Sequence, residues 1–214
     1  MGRIAKDNGG GDFQDAPVGT HIAVCIKITD LGTQHGEYQG QANVRNQVLV
    51  TWELPNERMT DGKPFIVSAF LTNSLSEKAT MRHWLENWRG RPFTQEELDG
   101  FDLMNILGKC CMLNVIAKPE GKKGVKVGGI MALPKGMEKP APENEPSAFW
   151  MDEFNRSKFD ELSNGIKEII MKSDEYVAMT SGARPAPTSG GTFSDMDDDI
   201  PFQEPYHGGL WRMV

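Results

Sequence analysis

The sequence predicts a mostly β protein: a five-stranded barrel with a helical insert between strands 3 and 4 and a helix near the C-terminus. Three observations lead to this class. Five segments alternate apolar and polar residues or are rich in β-branched residues, and one segment between the third and fourth has helical spacing. No helical segment remains for the crossovers that a parallel sheet requires.

The first strand is predicted in GTHIAVCIKITDLG and is expected to end at Gly32. Its alternation places one set of side chains towards the core, namely Ile22, Val24, Ile26 and Ile28. The opposite set is His21, Cys25, Lys27 and Thr29. A half-buried strand has this pattern, so we expect the first set to be buried and the second to face outwards.

The second and third strands follow in ANVRNQVLVTWELP and FIVSAFLT, with a turn at Thr60, Asp61 and Gly62 between them. The predicted core face of the second strand carries Val44, Val48, Val50 and Trp52, and its other face carries Arg45, Gln47 and Thr51. In the third strand, Phe65 and Phe70 differ in parity, so only one of them can face the core. Phe70 shares its side with Ser68 and Thr72 and is expected to face outwards.

The period then changes to that of a helix. SLSEKATMRHWLENWRG begins with Ser76 as a predicted N-cap, ends at Gly90 and spaces its apolar residues three or four apart: Met81, Trp84, Leu85 and Trp88. These residues, like Trp52, are expected in the core. A second capped turn follows in TQEELDGFDLMNIL. The last two strands, CCMLNVIAK and VKVGGIMAL, are joined by the hairpin PEGKKG.

The predicted elements are three strands, a helical insert and two more strands. This is the element order of the OB-fold, a partly open Greek-key barrel that commonly binds oligonucleotides. We expect residues 1–15 to be a flexible N-terminus and residues 16–140 to form this OB-fold domain. Residues 141–180 are expected to be an extended connector and one C-terminal helix, which has Ile166, Ile169, Ile170 and Tyr176 at helical spacing. That helix packs on the barrel or forms a dimer. Residues 181–214 are expected to be a disordered acidic tail.

Charge is distributed unevenly along the chain. The net charge of −7 divides into −1 for residues 1–15, +2 for residues 16–139 and −8 for residues 140–214. A mildly basic body with an acidic C-terminal part is typical of proteins that handle polyanions. No apolar run is long enough to cross a membrane and no signal peptide is present, so we expect a cytoplasmic protein.

Catalysis and metal binding are not expected. The sequence contains no GxSxG, HExxH or phosphate-binding loop motif and no paired acidic residues at a useful spacing. Its cysteines form no CxxC pair, and its histidines lack ligand spacing. We therefore predict no catalytic residues, no metal site and no cofactor.

Single-stranded nucleic acid is held by aromatic rings on which bases stack and by cations that follow the phosphates. Both types of residue occur in the predicted barrel. The candidate stacking residues are Tyr38, in the first loop, and Phe70, and the candidate phosphate contacts are Arg45, Arg89, Arg91, Lys118, Lys122, Lys123 and Lys126. Such a surface predicts binding with little sequence preference.

The stretch DMDDDIPF lies beyond SGARPAPTSGGTFS, a segment with almost nothing to bury. It combines an acidic run, Asp195, Asp197, Asp198 and Asp199, with the apolar tip Ile200, Pro201 and Phe202. This stretch resembles the acidic tip of bacterial single-stranded DNA-binding proteins. In the body, GTHIAVCIKITDLGTQ, VTWELPNE, DGKPFIVSAF, LSEKATMRHWLENWRGRPFTQEEL and LPKGMEKP resemble phage-encoded single-stranded DNA-binding proteins across about residues 16–140.

The resemblance implies an OB-fold protein that coats single-stranded DNA during phage replication, recombination or repair in the cytoplasm of a host cell. Its tail would recruit replication or recombination proteins or compete with DNA. The chain continues beyond Phe202, and this extension either is a second contact site, through Tyr206 and Trp211, or folds back. An adaptor that binds only proteins, a strand-annealing mediator, RNA as the ligand and a homo-oligomer remain alternatives at this point.

Overall fold

A computed structural model describes residues 14–38 and 40–182, with the side chain of residue 38 excepted. The chain forms one antiparallel sheet with the order β3-β2-β1-β4-β5, to which a sixth strand is added in parallel on β1. The strands are β1 Gly19–Tyr38, β2 Gln41–Arg58, β3 Pro64–Thr72, β4 Cys110–Ala117, β5 Val125–Met131 and β6 Ser147–Phe149. The helices are α1 Thr80–Arg89, α2 Gln95–Asp99, α3 Arg156–Asp160, α4 Asn164–Ile170 and α5 Asp174–Ser181, with a 3₁₀ helix at Leu103–Ile106.

The predicted β-rich class is confirmed, as are five strands and a helical insert between β3 and β4. A sixth strand, β6, was not predicted. The sheet is not closed, because no ladder joins β3 to β5 within the described residues. Helix α1 contacts both of these strands, and its Trp88 indole donates a 2.8 Å hydrogen bond to the carbonyl of Cys110 in β4.

Strand β1 differs from its prediction in length and in the faces of its side chains. It continues past Gly32 to Tyr38, where it forms a long hairpin with β2. The register with β2 shifts between Cys25 and Lys27 and again between Asp30 and Gly32. A bulge reverses which side chains face the core. Cys25 is therefore in the core with Ile28, and Thr29 is buried as well, although both Cys25 and Thr29 were expected to face outwards. Val24 and Ile26 are buried as expected, whereas Ile22 is only half-buried.

The core faces of β2 and β3 are as predicted over most of their length. Val48, Val50 and Trp52 are buried, but Val44 is exposed because it lies on the part of the hairpin that extends beyond the core. The Trp52 ring packs against the rings of Trp84 and Trp88, with centroids 6.4 and 6.3 Å away. Trp88 is buried and Trp84 is half-buried, which confirms their place in the core.

Helix α1 begins three residues later than predicted. Thr80 is its first residue and Ala79 occupies the N-cap, so Ser76 is not the cap. Its end is as predicted, since Gly90 adopts φ +68°, a left-handed conformation that favours glycine. In α2, Thr94 and Glu97 form a reciprocal capping box, as the sequence TQEEL suggested.

The C-terminal segment packs on the sheet and forms a second apolar cluster. The single predicted helix is three short helices, because Ser163 and Ser173 each begin a new helix. Part of the predicted connector forms β6, which pairs with Lys27–Thr29 of β1. The second cluster consists of Leu31, Leu49, Phe149, Met151, Phe159, Leu162 and Ile170. Packing against the sheet, the first of the two predicted alternatives for this segment, is therefore observed.

Candidate nucleic-acid interface

The outer face of β3, opposite the tryptophan cluster, exposes an apolar and aromatic surface. Its side chains, which we call the ledge, are Ile66, Ser68, Phe70 and Thr72. Ile66 is 45% exposed and Phe70 is 39% exposed. Phe65, of opposite parity, is buried in the core as expected. Among the described Phe, Tyr and Trp side chains, Phe70 is the only one that is exposed, which makes it the best surface of this kind for a stacked base.

The neighbouring strand is buried on the same face. Directly opposite residues of antiparallel strands point to the same side of a sheet. Glu53 lies opposite Ile66, Thr51 opposite Ser68 and Leu49 opposite Phe70. Their exposed fractions are 0%, 8% and 7%. The border between covered and open surface therefore runs between β2 and β3, so the ledge has a wall along one side.

Glu53 shows how this wall is attached. Its carboxylate accepts hydrogen bonds from the backbone N–H groups of Glu143 and Asn144, at 2.8 and 2.9 Å. The side-chain amide of Asn144 adds a third bond of 2.7 Å. A fully buried carboxylate requires such donors, since burial without them is costly. Arg58 also forms an ion pair with Glu143. Nothing in the alternation of β2 indicates that Glu53 is buried, because its cover comes from residues ninety positions away.

Arg45 lies on the arm, the two-stranded extension made by Thr33–Tyr38 and Gln41–Gln47. It is paired with Gln34, and its Nε donates to Asn43 Oδ1 at 3.1 Å. Arg45 shares the outer face with Leu49, the residue opposite Phe70, and is four residues away along β2. At about 3.3 Å per residue this is ~13 Å. Arg45 is therefore close enough to contact a phosphate of a strand that stacks on Phe70.

Helix α5 holds the arm along its free edge. Glu175 accepts hydrogen bonds of 2.7 Å from both the backbone N–H and the hydroxyl of Thr33. Two residues further along β1, His35 Nε2 lies 2.8 Å from Oδ1 of Asp174, and both side chains are exposed. A carboxylate that occupies an edge amide also blocks that edge against pairing with another strand. The orientation of the arm, and with it that of Arg45, depends on this contact.

The four predicted lysines occupy the hairpin between β4 and β5, at the other end of β1. Lys118, Lys122 and Lys123 are exposed, and Lys126 is half-buried within β5 opposite Ile116. On β1, Gly19 pairs with Val115, which comes just before the hairpin, and Gln34 pairs with Arg45. These positions on β1 are about 50 Å apart along a straight strand. The β4–β5 ladder brings the lysines together with one another, and among the described residues no ladder joins their hairpin to the arm that carries Arg45.

Arg89 and Arg91 are both engaged by one carboxylate. Arg91 forms a bidentate pair with Glu97, at 2.7 and 2.9 Å, and Arg89 also bonds to Glu97. The Arg89 guanidinium lies over the Phe93 ring, 4.3 Å from its centroid. The hydrogen bond from Arg91, with those from the Thr94 N–H and Arg89, lowers the pKa of Glu97 to about 2. A role for these arginines in DNA binding stays a prediction.

The remaining predicted sites lie outside the described residues. They are the side chain of Tyr38 and the tail residues Asp195, Asp197, Asp198, Asp199, Ile200, Pro201 and Phe202. The prediction did not include Ile66, although its parity with Phe70 in β3 would have placed it on the same face. Within residues 14–38 and 40–182 there is no group of three or more side chains arranged to bind a metal ion.

No family model and no curated protein matches the chain. In the described part of the chain, every helix is too short or too polar to span a membrane.

Proposed function

We propose that the protein binds single-stranded DNA without catalysis, through the ledge on β3. The observation that carries this proposal is the exposure of Phe70 on a sheet face whose neighbouring strand is covered. A base stacked on an aromatic side chain contributes about 1–3 kcal/mol, and stacking accepts every base because each has a π-face. We therefore expect binding with little sequence preference.

Arg45 supports the proposal because it supplies positive charge on the same face. Each phosphate contact on a single strand adds about 0.7 to the slope of log affinity against log salt. The lysine hairpin, at the far end of β1, is a second electrostatic contact if the strand reaches it. Separate substitutions distinguish the two: Arg45→Ala should weaken binding to short oligonucleotides, whereas Lys122→Ala should leave it unchanged.

The fold that we assign to this function is the OB-fold. The strand order β3-β2-β1-β4-β5, with α1 between the ends of β3 and β5, matches that barrel if β5 approaches β3 to close it. The long, bulged β1 that pairs with both β2 and β4 favours this assignment, since bulges let one strand take part in both halves of a barrel. The assignment agrees with the resemblance to phage single-stranded DNA-binding proteins.

As part of the same proposal, the protein acts in the cytoplasm of a phage-infected cell, where it protects DNA during replication, recombination or repair. Residues 195–202 then recruit enzymes of those processes or compete with DNA for the basic surface. Competition of this kind is electrostatic and is screened over about 8 Å at physiological ionic strength. It therefore predicts that removing the residues after 182 tightens DNA binding at low salt and has less effect at high salt.

The test is a fluorescence anisotropy titration of the full chain with labelled oligo-dT and with duplex DNA, each at two salt concentrations. We expect salt-sensitive binding of the single strand and much weaker binding of the duplex. Phe70→Ala should weaken single-strand binding by roughly 5- to 150-fold, as loss of about 1–3 kcal/mol requires. Ile66→Ala, an equally exposed apolar change on the same strand, is the matched control and should cost less.

Two results would contradict the proposal. If the full chain does not bind oligo-dT even at low salt, the protein-binding adaptor becomes the better explanation of the exposed ledge. If Phe70→Ala and Ile66→Ala have equal effects, stacking is not the basis of binding. Annealing of complementary strands shares the same ligand and is measured separately, as the rate at which two complementary oligonucleotides form a duplex.

A further inference from the structure

Residues 143–151, which we call the strap, run from the outer face of β2 at Glu53 to the edge of β1, where they pair as β6, and are attached at three points. Glu53 binds the N–H groups of residues 143 and 144. The middle of the strap is β6, paired with Lys27–Thr29. At its end, the N–H of Met151 donates a 3.1 Å hydrogen bond to Asp30. A segment attached at both ends and by a ladder between them is held as part of the sheet.

The chain that follows the strap adds a packed layer behind it. Phe149, Phe154, Phe159 and Tyr176 form a group of aromatic contacts with centroid separations between 5.4 and 6.2 Å. This group covers Leu31 and Leu49, which are otherwise the outer face of β1 and β2. Lifting the strap would expose this cluster to water, together with the carboxylate of Glu53. Both changes oppose displacement by a ligand.

The ledge keeps one direction open. Its residues follow β3 from Ile66 to Thr72, about 20 Å at ~3.3 Å per residue, and the wall runs alongside them. A strand that crossed the sheet from β3 to β1 would have to pass through the strap and the aromatic cluster. Among the described residues, the strap and the aromatic cluster cover the outer face of β2 but leave Ile66 and Phe70 exposed, so a strand that runs along β3 passes beside both and ends near Arg45.

We infer that the strap is a fixed wall of the binding site, so that single-stranded DNA runs along β3 instead of across the sheet and contacts only about four nucleotides. This rests on the proposed function. A path of ~20 Å along the ledge is too short for the longer sites in the range of ~4–16 nucleotides that one OB-fold covers, so we take the lower end of that range. The ligand remains single-stranded DNA; the new element is its path and the role of residues 143–151 in setting it.

The first test is a length series, in which the full chain is titrated with oligo-dT of three, four, six, eight and twelve nucleotides at fixed salt. We expect affinity to rise steeply up to about four nucleotides. Beyond that length it should grow only in proportion to the number of overlapping sites on the oligonucleotide. A continued steep rise to eight or twelve nucleotides would mean that the strand crosses the covered face, and would overturn the inference.

The second test loosens the strap. Asn144→Ala removes one hydrogen bond to Glu53. Glu53→Gln replaces a carboxylate, whose two oxygens accept three hydrogen bonds, by an amide whose NH₂ group is itself a donor and would face N–H donors of the strap. A fixed wall predicts that Asn144→Ala binds dT12 within about twofold of the unmodified chain. It also predicts that Glu53→Gln binds no more tightly. Tighter binding by either variant would show that the strap is a lid and would overturn the inference. Circular dichroism shows whether each variant is folded, and Asn144→Ala still decides the question if Glu53→Gln is not.

The outcomes separate the two claims. If no oligonucleotide binds, the proposed function fails and the inferred path fails with it. If dT12 binds but affinity keeps rising steeply with length, or a loosened strap binds it more tightly, the proposed function stands and the fixed wall is wrong. A plateau near four nucleotides with unchanged binding by Asn144→Ala supports both.

Discussion

Glu97, in the first turn of α2, forms ion pairs with both Arg89 and Arg91, and these pairs make the stability of the fold depend on pH in the acid range. Its pKa in the folded protein is about 2, against an ordinary value of 4.5, chiefly because of the bidentate bond from Arg91. A carboxyl with a lowered folded-state pKa adds stability that is complete above its unfolded pKa. That contribution is lost as the pH falls towards the folded value.

We therefore predict that Glu97→Gln is less stable than the unmodified protein at pH 7 and that this difference shrinks between about pH 4.5 and pH 2. Urea unfolding at several pH values measures it. Glu96→Gln, on the exposed side of the same turn, is the matched control and should show no such trend. A difference that stays constant down to pH 2 would mean that the ion pairs with Arg89 and Arg91 do not form in solution.

The three cysteines differ in burial and therefore in reactivity. Burial raises the pKa of Cys25 to about 12 and also raises that of Cys111, which has Cys25 and Cys110 as neighbours. Cys110 is only half-buried, and its pKa is raised by the same cause. Because the thiolate is the reactive form, buried thiols with raised pKa values are inert.

We predict that Ellman's reagent at pH 8 labels one cysteine of the native protein, slowly, and all three after denaturation. The native reaction should disappear in Cys110→Ser. Labelling of two or more cysteines without denaturant would contradict the packing of β1 against β4.

Among the elements, the contact between α5 and the arm depends on a glycine. Gly32 has φ +70°, and a Cβ at this position would be 2.5 Å from Glu175 Oε2 and 2.7 Å from the Cβ of Ser173. Gly36, four residues further along the arm, has open space around it. The same substitution at these two positions therefore separates backbone strain and steric conflict from the general effect of adding a methyl group.

We predict that Gly32→Ala lowers the free energy of unfolding by about 1–3 kcal/mol, since both the strained conformation and the displaced helix contribute. Gly36→Ala should change it by less than ~0.5 kcal/mol. Urea unfolding of the two variants is the measurement. Equal stability of both variants would mean that α5 does not lie against the arm.

The strands and helices differ in how well the sequence predicted them. Regular alternation was sufficient for β3, where it placed Phe65 inside and Phe70 outside correctly, and for most of β2, where Val44 and Thr51 are the exceptions. It was only partly right in β1: Val24, Ile26 and Ile28 are buried as expected, but so are Cys25 and Thr29. Two bulges shift the register of β1, and a bulge leaves no mark in a run such as IAVCIKI. The strand β6 has only three residues, too few for a period to appear. The three C-terminal helices were taken for one because Ser163 and Ser173 were not recognised as caps.

In the whole molecule, the first and second apolar clusters lie on opposite faces of the same strands, so they cannot be separated. Residues 140–182 cover Leu31 and Leu49 and supply all three donors to Glu53. This cover could not be predicted from local pattern, because each contact joins residues about ninety or more positions apart. The buried Glu53 and the wall beside the ledge, which define the proposed site, are for that reason the parts that the sequence did not indicate.

We predict that a chain ending at residue 139 does not fold cooperatively, whereas one ending at residue 182 unfolds at nearly the same temperature as the full chain. A buried charge without its partners costs about 3–5 kcal/mol, a large part of a typical stability of about 5–15 kcal/mol. Differential scanning calorimetry of the two truncations is the measurement. A cooperative transition in the shorter chain would show that residues 140–182 are a separate unit.

The path of the DNA over the sheet is the central claim, and photo-crosslinking tests it most directly. Oligo-dT with one 5-iodouracil is bound to the full chain, irradiated and digested, and the crosslinked residue is identified by mass spectrometry. The account predicts a crosslink at Phe70, lost in Phe70→Ala, and none within residues 147–176. Crosslinks confined to the C-terminal helices, or an unchanged pattern in Phe70→Ala, would contradict it.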